Sequence, residues 1–159
     1  MTNAAAESNT QPRFAMKGQY IKDLSLENPH APTSLLTMKE PPKVDLNLDL
    51  QAQRIQDELY ELAMVFNIRT SAERTLFIVD LTYAGIFELI NIPPPIIERV
   101  LLVDCAFTLF PFARRVISDI TRDGGFPPLL LEPIDFMGLF EQRKQQDPTA
   151  QEAPTAVMN

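Results

Sequence analysis

An α+β fold, a four-stranded antiparallel sheet packed on one face by a long helix and a shorter C-terminal helix, is the architecture this sequence predicts. Strand-like alternation recurs through residues 14–83, a long apolar helical pattern follows from Pro93 to Arg122, and a shorter helical stretch starts near Asp135. Strands that come first and helices that come after favour α+β layering over alternating βαβ units.

Residues 1–12 are small and polar and residues 145–159 lose apolar pattern, so a disordered N-terminal tail and a disordered acidic C-terminal tail are expected around one domain of residues 13–144. Strand one is expected from Phe14 to Glu27, with Tyr20, Lys22, Leu24 and Leu26 on one face and Ile21, Asp23, Ser25 and Glu27 on the other. Asn28-Pro29-His30-Ala31-Pro32 breaks it, and Leu35, Leu36 and Met38 follow between prolines without a helix or strand period. A long crossing loop to Pro41-Pro42 is the consequence. In strand two Val44, Leu46, Leu48 and Leu50 alternate with Asp45, Asn47, Asp49 and Gln51, which gives one packed face and one wet face. Strand three, from about Glu58 to Arg69, turns Tyr60, Leu62, Met64, Phe66 and Ile68 inward and Glu61 outward. Strand four, Thr75 to Tyr83, sets Phe77, Val79, Leu81 and Tyr83 against Leu76, Ile78, Asp80 and Thr82, and Gly85 is expected to end it. The short connection between strands three and four predicts a hairpin.

The helical stretch after Pro93-Pro94-Pro95 is apolar on nearly every side, which marks a buried helix. One sheet covers one side of it, and each large apolar side chain left in water forgoes roughly 1.5–3 kcal/mol. The second side is therefore expected to pack on another subunit, with Val100, Val103 and Phe107 as candidate interface residues. Glu98, Arg99, Asp104, Arg114 and Arg115 leave no run of the roughly 20 apolar residues that a bilayer span demands. Pro111 predicts a kink or break. Beyond it the chain turns at Gly124-Gly125, runs extended through Leu129-Leu130-Leu131 and enters the last helix.

A net charge of −7 disfavours nucleic acid and anionic membrane surfaces as partners. One cysteine, Cys105, and one histidine, His30, exclude a disulfide framework and a structural zinc site, so no cofactor or metal is expected. With no signal-peptide pattern at the start, a cytoplasmic protein is expected. No phosphate-binding glycine loop, zinc-protease helix or nucleophile elbow occurs. Asp45 and Asp49 on one strand stand about 13 Å apart by strand rise, whereas paired glycosidase carboxylates sit roughly 5–9.5 Å apart. An enzyme is not expected.

What is present is a sheet face that collects Asp23, Glu27, Asp45, Asp49, Glu61 and Asp80, opposed clearly only by Arg69, with Ile21 and Ile78 expected on the same side. Apolar residues set among carboxylates fit a basic, partly apolar protein partner. The second feature is a surplus of phenylalanine and methionine, types that line surfaces tolerant of many partners. Leu35, Leu36, Met38, Phe87, Phe110 and Phe112 are the candidates for an apolar client groove.

QYIKDLSLENPHAP in strand one, Gly85-Ile86-Phe87, LFPFAR at Leu109 to Arg114 and FPPLLLEPIDF at Phe126 to Phe136 occur in one order across residues 14–142, and together they resemble SecB, the bacterial protein-export chaperone family. The resemblance implies a dimer of dimers, a homotetramer, assembled through the helices. It also implies a holdase that keeps precursor proteins unfolded without ATP and passes them to the SecA ATPase, without direct membrane insertion. Asp23, Glu27, Ile78 and Asp80 fall on the positions that contact the zinc-bearing C-terminal tail of SecA in that family. Ile78 stands where leucine is familiar, Asp80 where glutamate is, and Phe112 where tyrosine is common, while the crossing loop lacks a tryptophan found in better-known members. The alternative reading is an adaptor subunit, including a SecB-like chaperone dedicated to one partner such as a toxin–antitoxin pair; one obligate partner against many unrelated clients discriminates them.

Overall fold

The structure, a computed structural model, describes residues 10–37 and 40–147. The strands are β1 (Arg13–Glu27), β2 (Lys43–Gln56), β3 (Leu59–Ser71) and β4 (Thr75–Ile90), and they form one antiparallel sheet in the order β1-β4-β3-β2. The two outermost strands are thus consecutive in the chain. The segment that joins them contains one helical turn, α1 (Thr33–Leu36), and passes the far end of the long helix, where Asn28 Nδ2 donates to the Gly124 carbonyl at 3.2 Å.

That long helix, α2, occupies residues 94–123 as a 3-10 turn at Pro94–Ile96, an α-turn at Ile97–Arg99, a π-helical stretch at Val100–Cys105 and regular α-helix at Ala106–Asp123. A shorter helix, α3 (Phe136–Gln146), packs beside the π-helical stretch, and its N-cap Asp135 accepts from the Gly138 amide at 3.0 Å. Both helices lie on one face of the sheet, as the alternation predicts. The core between the layers joins Leu62, Met64, Phe66, Ile68, Val79, Leu81 and Phe87 of the strands to Leu109, Phe110, Ala113 and Ile117 of α2.

Several expectations are corrected. β4 does not stop at Gly85 but runs to Ile90; a Cβ on Gly85 would meet the Phe87 ring at 2.8 Å and Leu109 at 3.1 Å, so the glycine makes room for the helix instead of ending the strand. The helix continues through Pro111, and its irregularity lies upstream, where the wider π-turn lets Val100, Leu101 and Leu102 all be buried in succession. The packed face of β2 is only half packed: Leu50 is buried and Leu48 partly so, while Val44 and Leu46, on an edge strand beyond the helical layer, are exposed. Within the crossing loop, Thr33–Leu36 is helical, and Ser34 is buried against Asn28.

Strand one differs most. Its pairing with β4 slips twice, between Met16 and Gly18 and between Ile21 and Asp23, and the second slip, the bulge that matters for the acidic face, inserts an extra residue at Lys22. Leu24 and Leu26 face the core as expected, opposite Leu81 and Val79. Tyr20 and Lys22 do not share their face but reach Glu61 on the open side. Ile21 stands opposite Tyr83, in the core-facing row, and not beside Ile78 on the acidic face.

The far end of α2 is closed by Gly125 at φ 89°, a left-handed conformation that glycine adopts without strain. The Phe126 amide returns to the Thr121 carbonyl at 3.2 Å and the Gly125 amide to Arg122 at 3.0 Å, a Schellman cap. Phe126 then enters the core against Phe77, 4.7 Å between ring centroids, and the buried Thr121 hydroxyl accepts the Leu129 amide at 2.9 Å.

Candidate protein-binding surfaces

The open face of the sheet carries the acidic candidates. Cα partners place Glu27 opposite Ile78, Ile78 opposite Arg69 and Arg69 opposite Asp45, one row across all four strands. The next row on that face runs Ser25, Asp80, Asn67, Asn47, and the next Asp23, Thr82, Val65, Asp49. Asp23, Glu27, Ile78 and Asp80 are thereby brought together at the β1–β4 side. Asp80 accepts from Asn67 Nδ2 at 2.7 Å, which fixes one oxygen, and Ile78 is half-buried between Glu27 and Arg69. An open depression continues from Ile78 along Arg69 and Asn67 to Asp45 and Asn47.

Glu61 does not belong to the exposed set. It is 8% exposed and accepts from the Tyr20 hydroxyl, from Lys22 Nζ at 2.9 Å and from Gln53 Nε2 at 3.1 Å. The Tyr20 hydrogen bond, with help from Lys22 and against the pull of burial, holds its carboxyl below the usual range, while burial and then Glu61 push the Tyr20 phenol up to about 12. Tyr20 and Lys22 escape the alternation because the bulge in β1 reverses its phase, whereas Gln53 continues the wet face of β2. The only signal in the sequence is the pair of small residues, Ala63 and Ala84, that leave room on this face.

The helical layer holds the apolar candidates. Phe107 is 72% exposed and Val103 partly exposed on the outer side of α2, whereas Val100 is buried beneath them in the chain's own core. Leu36 is 83% exposed, and Leu35, half open, leans over Gly125, 3.3 Å from where a Cβ would stand. Phe112 packs partly on the core. Phe87 and Phe110 lie inside it, Phe87 against Phe14 and Phe110 between Phe66 and Phe136, so neither offers a surface to a client. Met38 lies outside the described residues. Cys105 is fully buried, and burial, then the Asp104 carboxylate, pushes its thiol up to about 12. Among the described residues no group of three or more His, Cys, Asp or Glu is placed to hold a metal ion, and no helix is long and apolar enough to cross a membrane.

A sheet with one acidic open face, backed by a helical layer that leaves large apolar side chains in water, has the surfaces of a candidate protein-binding module. The sequence model of the family described as preprotein translocase subunit SecB matches residues 7–147. The protein-export protein SecB of Parvibaculum lavamentivorans is 43% identical over 149 residues, 93% of this chain and 89% of that protein. That of Acidiphilium cryptum is 45% identical over 145 residues, 81% and 87% of the two. Among solved structures, a SecB-like chaperone of Mycobacterium tuberculosis in complex with an antitoxin peptide superposes with a TM-score of 0.65 at 17% identity, covering 77% of this chain and 91% of that one; it shows the shared fold. The chain belongs to the SecB family of protein-export chaperones, and like that family it is not an enzyme.

Proposed function

We propose that this chain is an ATP-independent holdase that keeps precursor proteins unfolded and export-competent and delivers them to the SecA translocation ATPase. It works in the cytoplasm as a homotetramer, a dimer of dimers joined through α2. The observation that carries this reading is the separation of two surfaces on opposite layers. Asp23, Glu27 and Asp80 surround Ile78 on the open sheet face, and Leu36, Phe107 and Phe112 belong to the helical side.

The first surface suits the zinc-bearing C-terminal tail of SecA, a basic and partly apolar partner, through charge complementarity around one apolar contact. The exposed loop residues Leu35 and Leu36, with Phe112 and the undescribed Met38, supply apolar contact for unfolded segments of many sequences. Val103 and Phe107 supply the helix-to-helix contact between subunits. Affinity for unfolded chains from apolar area alone needs no nucleotide.

The test is refolding of a denatured, slowly folding precursor with the chain present and nucleotide absent, oligomer mass being recorded on the same sample. Refolding arrested, and resumed on addition of SecA, is the expected outcome. Asp23→Lys combined with Asp80→Lys is expected to weaken SecA binding and leave the arrest almost intact. Equal loss of both would sink the two-surface reading, and several unrelated clients ignored by a folded oligomer would favour a single dedicated partner.

A further inference from the structure

The register shows why Asp23 faces outward at all. Upstream of the bulge Tyr20 stands opposite Ala84, and Ala84 opposite Ala63; downstream Asp23 stands opposite Thr82, and Thr82 opposite Val65. Ala63 and Val65 share the open side of β3 with Glu61, so Tyr20 and Asp23 lie on the same face. In a regular strand residues three apart face opposite ways. Without the inserted residue, the strand phase that presents Tyr20 would turn Asp23 toward the helices.

Leu24 and Leu26, packed against the core, favour the phase downstream of the bulge. They do not specify where the extra residue falls. Ile21, next to it, is 47% exposed and makes a poor anchor. The grip that locates the insertion is polar: the Glu61 carboxylate holds the Tyr20 hydroxyl and the Lys22 ammonium, the residues just before the slip and at it. Gln53 from β2 completes its set. Strand β4 lies between Glu61 and its two β1 partners, and there Ala84 is the residue opposite Tyr20, so a long side chain can pass over. The same grip draws Lys22 into an ion pair with Glu61, away from the carboxylate of its neighbour Asp23.

We propose that Glu61 is a positioning residue for partner docking: by holding Tyr20 and Lys22 it fixes the β1 bulge that presents Asp23 and Glu27 on the open face. The role in docking rests on the reading given under the proposed function; the grip on the bulge does not.

Tyr20→Phe and Lys22→Met in the full chain test it, with amide hydrogen exchange and with affinity for a zinc-loaded peptide of the SecA tail. Exchange at residues 21–23 is expected to quicken by about tenfold while the β3–β4 amides keep their rates. Peptide affinity is expected to fall by about threefold to tenfold in both variants, the scale of one hydrogen bond. This holds even though Lys22→Met makes the face more acidic. Affinity unchanged by Tyr20→Phe and raised by Lys22→Met is the response of a surface governed by charge alone and overturns the positioning role, as do unaltered exchange rates at residues 21–23. Asp23→Lys separates the two claims. If it leaves peptide binding intact, the docking reading fails and the exchange rates alone decide the grip; if it abolishes binding while the other two variants bind normally, only the positioning role fails.

Discussion

Glu61 and Tyr20 tie the stability of the fold to pH from both sides. The Glu61 carboxyl titrates below its ordinary 4.5, so its contribution is complete above that value and is lost as pH falls through the depressed folded value. The Tyr20 phenol is raised from 10.0 to about 12, so its contribution is complete below pH 10 and is lost as pH rises toward 12. Glu61→Gln is therefore expected to flatten part of the acid limb of a plot of urea midpoint against pH, and Tyr20→Phe part of the alkaline limb. Thr121 makes a second residue-scale prediction. Its hydroxyl accepts the Leu129 amide and donates toward the Ile117 carbonyl, so Thr121→Val leaves that amide without its partner and is expected to cost about 1–3 kcal/mol by urea unfolding.

At the scale of elements, α2 divides its phenylalanines between two tasks. Phe110, packed on Phe66 and Phe136, is expected to cost about 3–5 kcal/mol when replaced by alanine. Phe107→Ala is expected to stay within about 0.5 kcal/mol in the isolated chain. Phe107→Glu or Val103→Glu is expected to lower the oligomer mass seen by light scattering, and an unchanged mass would refute the helix-to-helix contact. The all-round apolar pattern predicts a second side in need of cover but does not say which residues form it. The π-turn at Val100–Cys105 resets the helical phase and sends Val100 inward. Strand one has the same limit: period-two reading identifies the strand but has no means of placing an inserted residue, so it puts Tyr20, Ile21 and Lys22 on the wrong sides. The outward facing of Asp23 and Glu27 is legible because they lie beyond the bulge, and that of Ile78 and Asp80 because β4 alternates regularly there. Phe87 and Phe110 look like surface candidates in composition alone, since an aromatic surplus does not distinguish core from groove.

For the whole molecule, the two layers present surfaces of opposite character, and salt should separate them. Docking through Asp23, Glu27 and Asp80 is expected to weaken steeply as ionic strength rises past the point where the screening length is about 8 Å, while retention of apolar clients is expected to hold or strengthen. Titrations of both partners against salt check this; parallel losses would place them on one surface. Cys105, the single thiol of the chain, lies fully buried on α2 between the layers. A thiolate is the reactive form, and a sulfur shielded from water with its ionisation pushed up to about 12 stays silent toward alkylating reagents while the layers are closed. Its labelling rate is consequently a native clock for the parting of helix from sheet, readable without any added probe, and any client that loosens the fold will make that clock run faster.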